Sequence, residues 1–299
     1  MNLKKQQIPP INKGYIQVEV EQIFPKNINI LEKHWLLLEQ TASTEFFLSW
    51  KWISSWLETI VTNQKMYLVK ATQSNKIVGL GIFVEHNVIR HNLIPSKQWF
   101  LHRTGKEEKD QIWIENNGFL LCEKNKNQVN NAMWQHLLTQ KSGVDEFIVN
   151  LVKKSPDVDY DISVKHYQTF KQQQELGYKI ALTEFSSLDG YLSTLSKNTR
   201  QQINRSIKLI MQQGELKFTS IDKPQDQLKL LEKTKHWHIQ KWKNTLTPSG
   251  FENKNFCQFH NHLLGNTHPS ATTIAASINL NEEVMGAIYC FCENKNIYF

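Results

Sequence analysis

The chain has 299 residues, of which 40% are hydrophobic and 21% are charged. A single hydrophobic core stops growing at about 250–300 residues, so this length predicts two globular domains. The composition is that of a globular protein and excludes a disordered or fibrous one. The formal net charge of +7 favours an anionic partner, such as a phosphorylated cofactor, nucleic acid, an acidic polymer or a membrane surface. Abundant surface lysine explains the same charge without any partner.

Signals for export or membrane insertion are missing from the sequence. The first residues, MNLKKQQIPPIN, are basic but no apolar stretch follows them, so they do not form a secretory signal. No run approaches the ~18–20 apolar residues of a membrane helix. The four cysteines, Cys122, Cys257, Cys290 and Cys292, form no dense disulfide framework, which predicts a reducing cytoplasmic location.

The first predicted domain spans residues 15–179, after a flexible segment at 1–14. Alternation predicts a strand at 15–23, and helical spacing of apolar residues predicts helices at 28–41 and 49–61. The pattern then predicts a hairpin at 66–71 and 77–84, strands at 97–102, 111–115 and 119–122, a helix at 129–138, a strand at 146–152 and a helix at 164–176. Gly79 and Gly81 fall inside a strand, which indicates a bulge or a close backbone approach.

The second predicted domain spans residues 180–299. A long helix at 188–213, helices at 225–243 and 253–264, a hairpin at 272–278 and 284–292 and a strand from 297 are expected. Helices followed by a strand meander in each half predict an α+β fold, with helices packed on mostly antiparallel sheets. A strand of three residues needs a partner and a covering element. The second domain is therefore expected to be truncated near its fourth strand.

Common catalytic and nucleotide-binding motifs are absent from the chain. There is no G-x-x-x-x-G-K-[ST] loop, no G-x-G-x-x-G fingerprint and no G-x-S-x-G elbow. Cys257, His260, His262 and His268 lie close in sequence but do not share one helix face, so no metal is expected. His236 and His238 flank Trp237. Either His238 is a proton carrier at a cleft beside Trp242, or it is a partly buried histidine packed on that ring.

A basic helix is the most informative segment. Between Tyr191 and Gly214 the apolar residues form one stripe, and the remainder carries Lys197, Arg200, Arg205 and Lys208 with no acidic residue. A solvated helix usually mixes charges of both signs. The single sign predicts a face that attracts an anion, although a merely soluble face gives the same pattern.

Several short motifs in this order resemble a known family. Leu195-Ser-Lys-Asn-Thr-Arg200 followed by the basic helix is similar to the acetyltransferase-like domain of CelD-like and BioF-like proteins. These proteins belong to the GNAT superfamily and are related to the FemAB peptidyltransferases. The segments His238-Ile-Gln-Lys-Trp242, Ser249-Gly-Phe251, Val284-Met-Gly-Ala-Ile-Tyr289, Phe47-Leu-Ser-Trp-Lys-Trp52 and Ile77-Val-Gly-Leu-Gly-Ile82 resemble further elements of that family.

The resemblance implies two tandem GNAT-like domains and an acyltransferase. The acyl donor would be acetyl-CoA or another acyl-CoA, the acceptor an amine or hydroxyl on a small molecule or glycan, and the setting polysaccharide or cell-envelope biosynthesis. Lys197, Arg200, Arg205 and Lys208 are the candidates for anion contact, and His238, Lys241 and Trp242 for the acceptor cleft. The GNAT pyrophosphate loop, (Arg/Gln)-x-x-Gly-x-(Gly/Ala), is absent, which leaves the cofactor site in doubt.

Two alternatives remain open at this point. The basic helix and the net charge fit a tRNA backbone, as in a FemAB-type aminoacyl transferase, although no long charged helical arm is present. The second alternative is a non-catalytic binding protein with a GNAT fold, because a fold does not entail an activity.

Overall fold

The computed structural model describes residues 14–24, 27–61, 63–91, 93–140, 143–153, 167–170 and 173–299. They fall into two compact units, each built from separate stretches of chain. Unit 1 draws on Met1–Thr169, Trp237–Thr272 and Phe291–Tyr298, and unit 2 on Phe170–His236, Thr273–Cys290 and Phe299. The domain boundary predicted at residues 179/180 stays a prediction.

Unit 1 is built on a six-stranded sheet. Its elements are β1 (Ile16–Ile23), α1 (Ile28–Glu39), α2 (Trp50–Thr59), β2 (Met66–Gln73), β3 (Lys76–Arg90), β4 (Ile94–Leu101), α3 (Glu107–Asp110), β5 (Leu120–Leu121), α4 (Lys126–Thr139) and β6 (Glu146–Ile148). The strand order is β1-β2-β3-β4-β6, with β5 paired to β3. Strands β1 to β4 are antiparallel to their neighbours, whereas β6 runs parallel to β4.

The two faces of this sheet carry separate hydrophobic cores. Successive strand residues point to opposite faces, so Leu68 and Ile82 join one core while Val69 and Phe83 join the other. The first core includes Trp35 of α1 together with most of α2, and the second includes the buried side of α4. The helices predicted at 28–41, 49–61 and 129–138 and the strands predicted at 15–23, 66–71, 77–84 and 97–102 are confirmed.

Helix α2 is buried on nearly every side, since only Glu58 among its residues is exposed. Ser49 begins the helix, because its side chain accepts a hydrogen bond from Trp52 N at 3.4 Å. A helix that is apolar all round lies inside a protein rather than on its surface. Here α2 is covered by α1, by the sheet and by α8 (Lys254–Gly265).

Gly79 and Gly81 are positions of close approach, as the sequence predicts. A Cβ at Gly79 would lie 2.6 Å from Met133 Sδ, and one at Gly81 would overlap the ring of Phe119. The neighbouring β2–β3 pairing also shifts register between Ala71 and Thr72. Both explanations offered by the sequence, a bulge and a close approach, therefore apply.

Unit 2 contains α5 (Leu188–Thr194), α6 (Lys197–Met211) and β7 (Leu216–Ile221). Three further elements contribute residues to both units: α7 (Pro224–Trp242), β8 (Ala271–Leu280) and β9 (Glu283–Glu293). With β10 (Asn296–Tyr298) the strands form a sheet of order β10-β9-β8-β7. Gln227 ties α7 to β8, because its buried amide nitrogen donates to Thr273 O at 3.0 Å and its oxygen accepts from Thr273 Oγ1 at 2.8 Å.

The chain repeats one arrangement of elements. The order β1-α1-α2-β2-β3-β4 recurs as β7-α7-α8-β8-β9-β10, and the strands of each sheet follow the same neighbour order.

The hairpin turns Ser74-Asn75, Asn281-Glu282 and Asn294-Lys295 have positive φ at both residues, which is typical of a type I′ turn. The α+β fold with helices on two mostly antiparallel sheets is thus confirmed.

Some predicted elements are wrong. Residues 111–115 form turns and irregular backbone instead of a strand, and the described part of the predicted helix at 164–176, residues 167–170 and 173–176, is not helical. Residues 164–166 and 171–172 lie outside the described residues. The long helix at 188–213 is broken at Leu195, because Ser196 begins a second helix. Strand β7 was not predicted.

Across the described residues, no helix has the length and apolar character needed to cross a bilayer.

Candidate functional site

Helix α6 carries all four of the predicted anion-binding residues, within unit 2. Lys197, Arg205 and Lys208 are exposed and Arg200 is partly buried. At about 100° per residue the four side chains lie within an arc of roughly 140°. Arg200 Nη1 donates to Ser193 O at 3.0 Å, which holds that guanidinium against the end of α5. The structure therefore brings the four cations onto one helix face, and their anion-binding role stays a prediction.

The three predicted acceptor-cleft residues lie at the end of α7, within unit 1. His238 Nδ1 is 2.8 Å from Ser249 Oγ, and its ring stacks on Trp242 with centroids 5.8 Å apart. Phe251 packs edge-on against the same imidazole. Partial burial, and then the charge of Lys241, lower the pKa of His238. His238 therefore has both features that the sequence left open, a ring packed on tryptophan and a polar partner, and its role stays a prediction.

The histidines of α8 separate into different environments. His260 is fully buried among aromatic rings, and burial lowers its pKa to about 3. His262 and His268 instead pair with Glu58 and Glu39. Within the described ranges, no three His, Cys, Asp or Glu side chains are grouped closely enough to hold a metal ion.

A polar cleft of ≈ 480 Å³ opens in unit 1 where α1, α2 and α8 meet. Its size lies in the range of small-molecule sites, about 300–1,000 Å³. The lining residues come from all three helices and the loop after α8: Ile28, Asn29, Glu32, Trp50, Ser54, Glu58, Asn261, His262, Gly265 and Asn266. Two carboxylates, one imidazole, three amides and an indole thus surround one concave space.

A hydrogen-bond chain through His262 crosses from α8 to α2. Ser55 Oγ donates to Lys51 O at 2.7 Å, so its hydroxyl proton is committed. The same Oγ lies 3.2 Å from His262 Nδ1, and His262 Nε2 lies 3.0 Å from Glu58 Oε2. These two contacts hold the imidazole of His262 on α8 against α2.

The opposite wall of the cleft is held by Glu32 and Trp50. Trp50 Nε1 donates to Glu32 Oε1 at 3.1 Å, which fixes the indole against α1. The backbone N–H of Trp50 donates to Glu39, whose other oxygen is 2.9 Å from His268 Nε2. A carboxylate at the first turn of a helix is favoured by the helix dipole. These contacts fix the start of α2 and the orientation of its tryptophan.

The floor of the cleft is formed where Asn266 ends α8. Its side-chain amide nitrogen donates to Ser54 Oγ at 2.8 Å, and its backbone carbonyl oxygen accepts from Lys51 Nζ. Lys51 is 4% exposed, and burial lowers its pKa to about 8. The two helices are thus joined by side chains whose polar atoms satisfy one another.

A smaller cleft of ≈ 270 Å³ lies between the sheet and α4. Its carboxylate, Glu85, accepts from Tyr67 Oη at 3.0 Å and from Lys65 Nζ at 3.3 Å. Burial raises the pKa of Glu85, but these two hydrogen bonds outweigh burial and hold it below the usual value. Because this carboxylate already has strong partners, the larger cleft has more free polar capacity for a ligand.

Sequence patterns did not single out this cleft. Glu58 and His262 are 204 positions apart, and neither belongs to a motif. The one available signal was that Glu58 is the single acidic residue of a tryptophan-rich helix, which is also the pattern of a solvent-facing turn.

Comparison with protein families identifies the C-terminal part of the chain. Residues 197–299 match the family model described as "Acetyltransferase (GNAT) domain". The match spans 103 of the 299 residues, from position 197 to position 299. The matched segment contains α6 to α8 and β7 to β10. No curated protein matches the chain.

Solved structures similar to this chain include several acetyltransferases. A GNAT family acetyltransferase of Staphylococcus aureus is 11% identical, covers 52% of this chain and 98% of its own, with a TM-score of 0.28. Glucosamine-6-phosphate N-acetyltransferase of Arabidopsis thaliana is 13% identical, with coverages of 54% and 98% and a TM-score of 0.26. An aminoglycoside acetyltransferase from an uncultured soil metagenomic sample is 14% identical, with coverages of 55% and 95% and a TM-score of 0.27. At these scores none supports an argument about this chain.

Proposed function

We propose that this protein is an acyltransferase that moves an acyl group from a CoA thioester to an amine or hydroxyl acceptor. The observation that carries the proposal is the match of residues 197–299 to the GNAT acetyltransferase domain. The repeated order of one strand, two helices and three strands in this segment and in the first half agrees with the tandem architecture that the motifs suggested.

The residues of α6 fit the charge of an acyl-CoA. Lys197, Arg200, Arg205 and Lys208 lie on one face, and α6 itself contains no carboxylate that would neutralise them. Phosphate groups bind where cations and a helix N-terminus coincide, and Lys197 and Arg200 belong to the first turn of α6. These four residues would hold the phosphates, and the bound thioester would supply the acyl group.

The residues at the end of α7 would act on the acceptor side. The acceptor must lose a proton as it becomes acylated, and a neutral imidazole can accept one. Partial burial and the nearby Lys241 favour the neutral form of His238. Ser249 fixes the ring orientation through the 2.8 Å contact to Nδ1, and Trp242 supplies a flat apolar surface. We propose His238 as the group that receives the proton, with Lys241 and Trp242 lining its surroundings.

The test is a binding titration with acetyl-CoA followed by detection of an acylated acceptor by mass spectrometry. Arg200→Ala with Arg205→Ala should weaken acetyl-CoA binding at least tenfold, since each charged hydrogen bond contributes ~1.5–3 kcal/mol. Lys229→Ala with Lys233→Ala removes two cations from α7 and serves as the control. Equal weakening in both double variants would contradict a specific role for α6.

We also propose that the chain belongs to a particular branch of the GNAT superfamily. The motifs starting at Leu195 and at His238 support a place among the CelD/BioF-like, FemAB-related proteins, and with it an acceptor from polysaccharide or cell-envelope biosynthesis. A screen of sugar and peptide acceptors with acetyl-CoA tests this context. Acylation of neither class, by a protein that binds acetyl-CoA, would contradict it.

A second candidate function is a FemAB-type transfer from aminoacyl-tRNA. The observation that favours it is the single-sign face of α6, which also suits a phosphate backbone. Binding of tRNA should then weaken steeply between 50 and 200 mM salt, because counterions are released on binding. An absence of tRNA binding at low salt would exclude this function.

A further inference from the structure

The cleft between α1, α2 and α8 has an electrostatic character opposite to that of the whole chain. The chain carries +7, yet the described residues that line the cleft include two glutamates and no lysine or arginine. Glu58 is paired with His262, and the buried Lys51 lies behind Asn266. The two carboxylates of the lining itself favour a cation at this place on an otherwise basic protein.

Both carboxylates use some of their hydrogen-bond acceptor positions within the protein and keep others for a ligand. Glu32 accepts from Trp50 Nε1 through Oε1, and Glu58 accepts from His262 through Oε2. A carboxylate has about four acceptor positions. The remaining positions of Glu32 and Glu58 can each accept N–H groups of a bound ammonium, which has three donors.

The rest of the lining suits hydroxyl groups and a compact ring. Asn29 and Asn261 offer side-chain amides that both donate and accept, as a hydroxyl also does, whereas Asn266 already donates to Ser54 Oγ. Trp50 and Ile28 add flat apolar surface beside them, and the indole is fixed by Glu32. A volume of ≈ 480 Å³ accommodates a small ring compound rather than a bare ion, which would leave most of these groups without a partner.

We propose that this cleft binds a hydroxyl-rich organic ammonium compound, of the amino sugar or amino alcohol class, through Glu32 and Glu58. The carboxylates accept N–H groups of the ammonium, the amides bond the hydroxyl groups, and Trp50 packs against the carbon skeleton. A role of this compound as the acyl acceptor rests on the proposed acyltransferase function, whereas its binding does not.

Calorimetry with D-glucosamine, D-glucose and Mg²⁺ as separate probes tests the proposal. Glucosamine at neutral pH should bind at least tenfold more tightly than glucose, which has the same ring without the charge, because a charged hydrogen bond contributes about this factor. Glu58→Gln and Glu32→Gln should each weaken glucosamine binding about tenfold. Glu107→Gln, which removes an exposed carboxylate of unit 1 outside the cleft, should leave binding unchanged.

Equal binding of glucose and glucosamine, or unchanged binding in both cleft variants, would overturn the proposal. Tight binding of Mg²⁺ that displaces glucosamine would also overturn it in favour of a metal site. Thermal unfolding of each variant shows whether a loss of binding comes from a loss of folding. We expect Glu58→Gln to fold, because the Glu58 side chain is 48% exposed. Glucosamine binding without any acyl transfer would sink the proposed function and leave this inference intact. Acyl transfer to amines with an unchanged KM in both cleft variants would overturn this inference and leave the proposed function intact.

Discussion

His262 Nε2 on α8 lies 3.0 Å from Glu58 Oε2 on α2, and this pair joins the two helices at the cleft. One partner belongs to the segment that matches the GNAT domain and the other to the first half of the chain. The pair is partly exposed, so its contribution to folding is small, about 0–1 kcal/mol. We expect its main effect to be on what the cleft binds.

His262→Ala should strengthen glucosamine binding by about two- to fivefold. Alanine removes the ring that contacts Glu58 Oε2, so this oxygen becomes available to the ammonium, and an exposed ion contact is worth ~0.5–1 kcal/mol. His91→Ala, at an exposed position in unit 1, is the control and should have no effect. Weaker binding in His262→Ala would contradict competition between His262 and the ammonium for Glu58.

Gly81→Ala should destabilise the protein by about 1–3 kcal/mol, because an added methyl group overlaps the ring of Phe119 in a closely packed core. Gly286→Ala is the matched control, since a Cβ at this strand position meets no atom within 4 Å. Urea unfolding of both variants compares the two glycines. Equal midpoints would show that the sheet tolerates a side chain at Gly81.

Glu282→Gly should stabilise the β8–β9 hairpin by about 1 kcal/mol. Glu282 has φ of +71° beside Asn281 at +48°, and Asn-Gly is the preferred pair for such a turn. The neighbouring Glu283→Gly removes the same charge from the start of β9, where glycine should cost about 0.5–1 kcal/mol. Hydrogen exchange of β8 and β9 amides measures both changes, and slower exchange in Glu283→Gly would refute the turn argument.

The stability of unit 1 should fall between pH 6.5 and pH 4 because of His102. This histidine is buried, accepts from Ile82 N through Nε2 and bonds Asn117 through Nδ1. Burial lowers its pKa to about 4. The unfolded chain, with a pKa near 6.5, therefore binds more protons in this window, and stability is lost as the pH falls.

The expected loss from His102 is on the order of 3 kcal/mol between those pH values. Urea unfolding at pH 7 and pH 4.5 measures it. His102→Gln retains an acceptor and a donor but does not titrate, so its stability should depend less on pH than that of the parent chain. His91→Gln should follow the parent, and an identical pH dependence of all three proteins would contradict this role of His102.

The sequence predicted the fold where burial imposes a clear period. The hairpin β2–β3 and helix α2 followed from alternating or clustered apolar residues that are indeed buried. Strand β7 was missed because Phe218 is its one large aromatic residue and is 72% exposed. The break at Leu195 was missed because the apolar stripe continues across it, while Ser196 stops one helix and begins the next.

The candidate site was predicted only in part, for a different physical reason. The four cations of α6 lie on one helix, so their spacing alone placed them on one face. Glu32, Glu58 and His262 come from three helices, and their meeting depends on how α2 packs between α1 and α8. Such a meeting leaves no trace in local periodicity.

A calorimetric titration of the 299-residue protein with acetyl-CoA, followed by mass detection of the product formed with glucosamine as acceptor, tests the proposed acyltransferase most directly. We expect acetyl-CoA to bind, Arg200→Ala with Arg205→Ala to weaken that binding, and N-acetylglucosamine to form. An absence of acetyl-CoA binding would contradict the acyltransferase proposal.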